Sequence, residues 1–161
     1  MRVRAEIVVR LLMSIGRRSS RTGSRPLRFF ARCDRTTGVD EPPLSIEVSN
    51  TILYCDSWNE CVAFYRDTIG LTVAFANDWF VEFNVTGAAM LSVADARRST
   101  IPSASGAGVT LTWRIDSVAD AHARLIQRGV AMTPLSTRWG ATVCYCHDPE
   151  GHRIELWTPA V

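Results

Sequence analysis

Between residues 46 and 160, apolar and polar positions fall into short alternating runs, interrupted twice by a longer stretch with helical spacing. Residues 46–54 alternate as a half-buried strand does. Asp56-Ser57 then precedes apolar positions Trp58, Cys61, Val62, Tyr65 and Ile69, whose i, i+3, i+4, i+7, i+11 spacing places them on one helical face, with Gly70 as the stop. Three strand-like runs follow at 71–75, 79–85 and 89–94. The order then begins again. Residues 109–115 read as a strand, and Asp116-Ser117 precedes a helix whose face carries Val118, Ala121, His122 and Leu125, ended by Gly129. Further strand-like runs lie at 131–133, 142–146 and 153–157.

Superposing the halves at an offset of 60 residues brings Asp56-Ser57 onto Asp116-Ser117 and Cys61 onto Ala121. The pattern is an internal duplication of strand–helix–three strands. It predicts an α+β fold of two βαβββ modules, 46–95 and 107–160, within a domain spanning 45–161. Each module is a small curled sheet with its helix packed on one face, which leaves the other faces to form a cup. By strand parity Val81 and Phe83 face the helix of the first module.

The last strand begins in the stretch HDPEGHRIELW, residues 147–157. Asp148, Pro149, Glu150 and Gly151 are turn chemistry, because proline presets φ and glycine permits the positive φ that closes a hairpin. Beyond the turn, Glu155 shares a face with Arg153 and Trp157. A carboxylate there has three roles open to it: metal ligand, general base, or half of an ion pair with Arg114. His147 and His152 flank the turn and are expected to be solvated or to cap the hairpin.

Charge separates the chain into two parts. Residues 1–40 hold ten Arg against Glu6, Asp34 and Asp40, a net of +7, whereas the remainder holds eight Arg against thirteen acids, a net of −5. The pattern describes a basic extension on an acidic domain and argues against a nucleic-acid-binding fold. Residues 1–44 include the polar, Arg-rich RRSSRTGSRP, which buries too little apolar surface to fold; a disordered basic extension is expected, with an upstream start or an organellar presequence as alternatives. No apolar run approaches the roughly 20 residues of a membrane span. Five cysteines without a secretory signal predict reduced thiols and a cytoplasmic protein. Cys144 and Cys146, two apart in a strand, point to one face and are expected to be buried structural thiols.

The duplicated βαβββ order, together with AFYRDTIGL (63–71), GVAM after the second helix, WGA (139–141) and DPEGHRIELW, resembles the vicinal oxygen chelate superfamily, which contains glyoxalase I, bleomycin-resistance proteins and extradiol dioxygenases. The resemblance covers about residues 46–160. It implies curled mixed sheets around a central cup and pairing into a homodimer. In metal-dependent members the ligands come from the first and last strands of each module. Here those positions correspond to Asn50, Thr110, Glu155 and, aligning Gly87 with Gly151, Leu91. One carboxylate among Asn, Thr and Leu does not hold a catalytic divalent ion, since such sites use about three protein ligands. No metal and no other cofactor is therefore expected.

Parity places Asn50, Ile52 and Tyr54, then Thr110, Thr112 and Arg114, then Arg153, Glu155 and Trp157 toward the cup, with Phe80, Glu82 and Asn84 from the third strand of the first module. Trp139 stands at the rim. Aromatic walls with a few convergent polar groups suit a small-molecule site. The expectation is a binding protein that takes a small aromatic or planar molecule without a metal, with Asn50, Tyr54, Glu82, Thr110, Arg114, Trp139 and Trp157 as contacts. The alternative is a metal-dependent lyase, isomerase or dioxygenase of the same superfamily that uses Glu155 as ligand or general base.

Overall fold

The computed structural model describes residues 44–160. The first module runs β1 (Ser49–Cys55), α1 (Trp58–Ala63), β2 (Thr72–Ala76), β3 (Phe80–Thr86) and β4 (Ala89–Asp95). The second runs β5 (Thr110–Arg114), α2 (Val118–Gln127), β6 (Ser136–Arg138), β7 (Ala141–His147) and β8 (Arg153–Pro159). The two sheets have the same design: β1-β4-β3-β2 and β5-β8-β7-β6. In each, the first strand pairs parallel with the last and the remaining pairs are antiparallel, so both sheets are mixed. The expectation for residues 1–43 lies outside the described residues.

Period-two alternation assigns the faces. Val81, Phe83, Leu91 and Val93 of the first sheet are buried with Cys61, Val62 and Tyr65 of the helical segment. In the second sheet, Leu111, Cys144, Cys146, Ile154 and Leu156 join Val118 and Leu125. These helix-side faces belong to one continuous core shared by both modules, and the opposite faces are open. Cys144 and Cys146 are buried there as free thiols, and burial pushes Cys146 up to about 11. Among the described residues, β1 and β5 are outermost strands, each with one unpaired edge.

Several local features differ from the sequence reading. The first helix starts as α1 but widens after Ala63 into a π-helix, Phe64–Ile69, before Gly70 ends it at φ +88°. Ser57 occupies its N-cap position, yet its hydroxyl caps nothing. The Ser57 amide instead donates to Glu150 Oε2 of the β7–β8 turn at 2.9 Å. Ser117 does cap α2, its hydroxyl accepting from the Asp120 amide at 3.2 Å. Residues 131–133 form no strand, although the Thr133 amide donates to the Tyr145 carbonyl at 2.9 Å; the edge strand of the second sheet is Ser136–Arg138.

The turn at 148–152 locks the modules together. Asp148 Oδ2 accepts from the Tyr65 hydroxyl at 2.8 Å and pairs with His152 Nδ1 at 2.9 Å, while its Oδ1 accepts from the His152 amide at 2.8 Å. All three side chains are buried. His152 is thus a partner of Asp148 and not a solvated residue, whereas His147 is exposed. The linker between modules packs closely on the same turn: a side chain at Gly106 would collide with the backbone of Gly151, so only glycine fits.

Candidate functional site

The open face of the second sheet carries the densest group of functional side chains. Strand register puts Glu155 directly between Thr112 of β5 and Tyr145 of β7. Glu155 Oε1 accepts from the Thr112 hydroxyl at 2.8 Å. The Tyr145 phenol is pushed up first by burial and then by the neighbouring Glu155 carboxylate. One step along the strands, Arg153 donates from Nε to the Thr110 hydroxyl at 3.1 Å and lies 5.4 Å from the centroid of the Tyr145 ring. One step the other way, Arg114 lies 5.8 Å from the centroid of Trp157, whose ring it shields from solvent. Cation–π contact thus occupies both guanidiniums.

This arrangement corrects the expected pair of Glu155 with Arg114. Those residues are not in register: Arg114 faces Trp157, and Glu155 faces Thr112. Thr112 and Tyr145 therefore belong to the site, and the same parity rule that selected Glu155 selects them once the pairing is known.

On the open face of the first sheet, Asn50 Nδ2 donates to Glu82 Oε2 at 2.7 Å and to Ser92 Oγ at 2.9 Å, and the Ser92 hydroxyl returns a bond to Asn50 Oδ1 at 3.1 Å. Asn50 and Glu82 thus lie together as sequence parity predicts, with Tyr54 and Phe80 on the same face. Leu91 does not lie there. It is buried on the helix side, and Ser92 takes the place that Glu155 holds in the second sheet, opposite Ile52 as Glu155 is opposite Thr112. Met90 pairs with Asn50 as Arg153 pairs with Thr110, so the equivalent strand position comes three residues after Gly87 but two after Gly151, and that one extra residue reverses parity. Trp139 is 48% exposed at the β6–β7 turn with φ +51°, so its indole stands free at the edge of the second sheet.

A divalent ion on these faces would meet Glu155 with Thr110, Thr112 and Arg153, or Glu82 with Asn50 and Ser92. Neither set supplies the imidazole and carboxylate donors of a catalytic centre, and the guanidinium of Arg153 opposes a cation. A cleft of about 800 Å³ runs beside the β5 edge and reaches the site: Thr110, Thr112 and Arg114 line it, with Ile69 and Leu71 from the first module and Arg128 from the second. Among the described residues no helix is long and apolar enough to cross a membrane.

Comparison with curated proteins finds no match to this sequence. Solved structures share its fold. An antibiotic binding protein, TnmS3 from Streptomyces sp. CB03234, superposes with a TM-score of 0.63 at 23% identity, covering 74% of this chain and 100% of its own. A lactoylglutathione lyase from Agrobacterium tumefaciens gives 0.59 at 23% identity, covering 73% and 96%. A glyoxalase/bleomycin resistance protein/dioxygenase from Nocardioides gives 0.61 at 21% identity, covering 97% and 93%. At these identities the likeness is one of fold. The family model for the Glyoxalase/Bleomycin resistance protein/Dioxygenase superfamily matches residues 48–156, well over half of the sequence. Duplicated modules, matching sheet orders and this alignment agree: the chain belongs to the Glyoxalase/Bleomycin resistance protein/Dioxygenase superfamily.

Proposed function

We propose that this protein binds a small planar or aromatic molecule on the open face of its second sheet, without a metal there and without chemical conversion. The observation that carries this reading is the Thr112–Glu155–Tyr145 row, flanked by the Arg114–Trp157 and Arg153–Tyr145 stacks. The row offers a carboxylate acceptor and a phenol within a wall of rings. A flat ligand with a hydroxyl or amine donor would set that donor on Glu155 and its rings against Tyr145 and Trp139, beside the Arg114–Trp157 stack. Thr110 and Arg114 would complete its surroundings on this face, and Asn50, Tyr54 and Glu82 of the first sheet's open face would be supplied by a second copy of this chain.

The open faces also expose Ile52 and Phe75, and the strand edges and neighbouring segments expose Ile46, Val48 and Val109. Unpaired edges beside exposed apolar side chains favour association. A second copy of this chain would cover them and close the half-open site, so the binding unit is a homodimer.

The test is a thermal-shift series in EDTA with bleomycin, planar polycyclic aromatics and 2-oxo acids. Stabilisation by an aromatic compound in chelator, weakened in Glu155→Gln, supports the reading. Stabilisation that appears only on adding a divalent metal favours the metal-dependent enzyme of the same superfamily.

A further inference from the structure

Away from both open faces, the seam between the modules contains two thiols and a carboxylate that the proposed binding role leaves unused. Cys55 closes β1, Cys61 lies in the first turn of α1, and Glu150 comes from the β7–β8 turn of the other module. Their two Sγ atoms and one carboxylate oxygen all lie within 4.8 Å of one another. Among the described residues no other group of three His, Cys, Asp or Glu side chains is brought so close. Both cysteines are fully buried and neither is in a disulfide, whereas Glu150 is only half-buried and gives the cluster its route to solvent.

The surroundings suit a cation. Cys61, Asp148 and Glu150 face Cys55, so sulfur and carboxylate donors are gathered at one point of the seam. His152, in the same turn as Glu150, is engaged by Asp148. Glu150 is held in a fixed orientation by the Ser103 hydroxyl on Oε1 and the Ser57 amide on Oε2. A carboxylate has about four lone-pair sites, so these two bonds leave acceptor capacity for an ion. Ligating carboxylates are ordinarily hydrogen-bonded from behind in this way.

We propose that Cys55, Cys61 and Glu150 bind a thiophilic divalent cation, zinc above all, which ties the two modules together at their seam. Two soft thiolates and one carboxylate are a donor set zinc accepts, with water through the Glu150 side as the fourth ligand. Binding releases both thiol protons to solvent; the bonds formed are two Zn–S and one Zn–O, with no change of oxidation state. This site is independent of the ligand face and serves stability, not catalysis.

The test is elemental analysis of the intact protein purified from zinc-supplemented cells, beside Cys61→Ser, Glu150→Gln and, as a control for a buried thiol outside the cluster, Cys146→Ser. About one zinc per chain is expected in the wild type and in Cys146→Ser, with at least a tenfold loss in Cys61→Ser and a smaller loss in Glu150→Gln. Because Cys61→Ser can fail to fold, the wild type is also refolded with cobalt(II) alone. An intense near-ultraviolet thiolate-to-cobalt band supports the site. A wild type that carries no zinc and gives no such band overturns it, as does zinc retained by folded Cys61→Ser or a Cys55–Cys61 disulfide found by mass spectrometry.

Discussion

Two carboxylates in the last hairpin do opposite work. Glu155 stands at an open face with one oxygen engaged by Thr112, so its charge is available to a ligand. Asp148 is buried and spends its oxygens on Tyr65, His152 and the Glu150 amide, so its charge is structural. Burial acts to raise the Asp148 carboxyl, but the bonds from His152 and Tyr65 and the charge of His152 outweigh it and hold it below its ordinary value near 3.8. A depressed carboxyl contributes stability that is complete above the unfolded value and is lost as pH falls through the folded one. Acid titration of the folded protein should therefore show a loss of stability beginning below about pH 3.8 that Asp148→Asn lacks. Asp148→Ala orphans the Tyr65 hydroxyl and the His152 ring, and should cost on the order of 3 kcal/mol in denaturant unfolding. Glu155→Gln should leave the unfolding midpoint within about 0.5 kcal/mol, since it touches no buried partner. An equal loss in both Asp148→Ala and Glu155→Gln would contradict this division of roles.

The two helices look alike in sequence and are capped differently. Ser117 caps α2 through its own hydroxyl, whereas the start of α1 is capped by Glu150 from the other module. Ser117→Ala should cost about 1 kcal/mol, the usual worth of an N-cap, while Ser57→Ala should be nearly neutral in the same chemical denaturation. The difference also marks the limit of what local pattern reveals. Alternation and helical spacing locate all five elements of the first module, four of the five in the second (β6 lies beyond the expected 131–133), and the open-face positions Asn50, Glu82, Arg114, Glu155 and Trp157, because a strand's period of two is a local property. Leu91 is not the counterpart of Glu155 because the turn after Gly87 holds one residue more than the turn after Gly151, which leaves no mark in composition. Glu155 was matched with Arg114 and not Thr112 because cross-strand register belongs to two distant segments at once. The Tyr65–Asp148 bond spans 83 residues, and no spacing rule reaches that far.

At the scale of the whole molecule, the helix-side faces of both sheets meet in one core, so the faces that carry Glu155 and the Asn50–Glu82 pair turn outward. Among the described residues, each sheet keeps a free strand edge, β1 and β5, with apolar side chains nearby. Light scattering across the micromolar range should give twice the mass of one chain, and charged substitutions at Ile52 should shift it toward the monomer. A single-chain mass throughout would leave the open faces as the complete site. The claim on which the functional reading depends is that Glu155 anchors an organic ligand and not a metal ion. Its most direct test is the metal content of the purified wild type beside that of Glu155→Gln. Equal metal content in the two proteins is the predicted result, whatever ion the cysteine seam retains. An equivalent of zinc, nickel, iron or manganese present in the wild type and lost in folded Glu155→Gln would contradict the account and make this sheet face a metal centre.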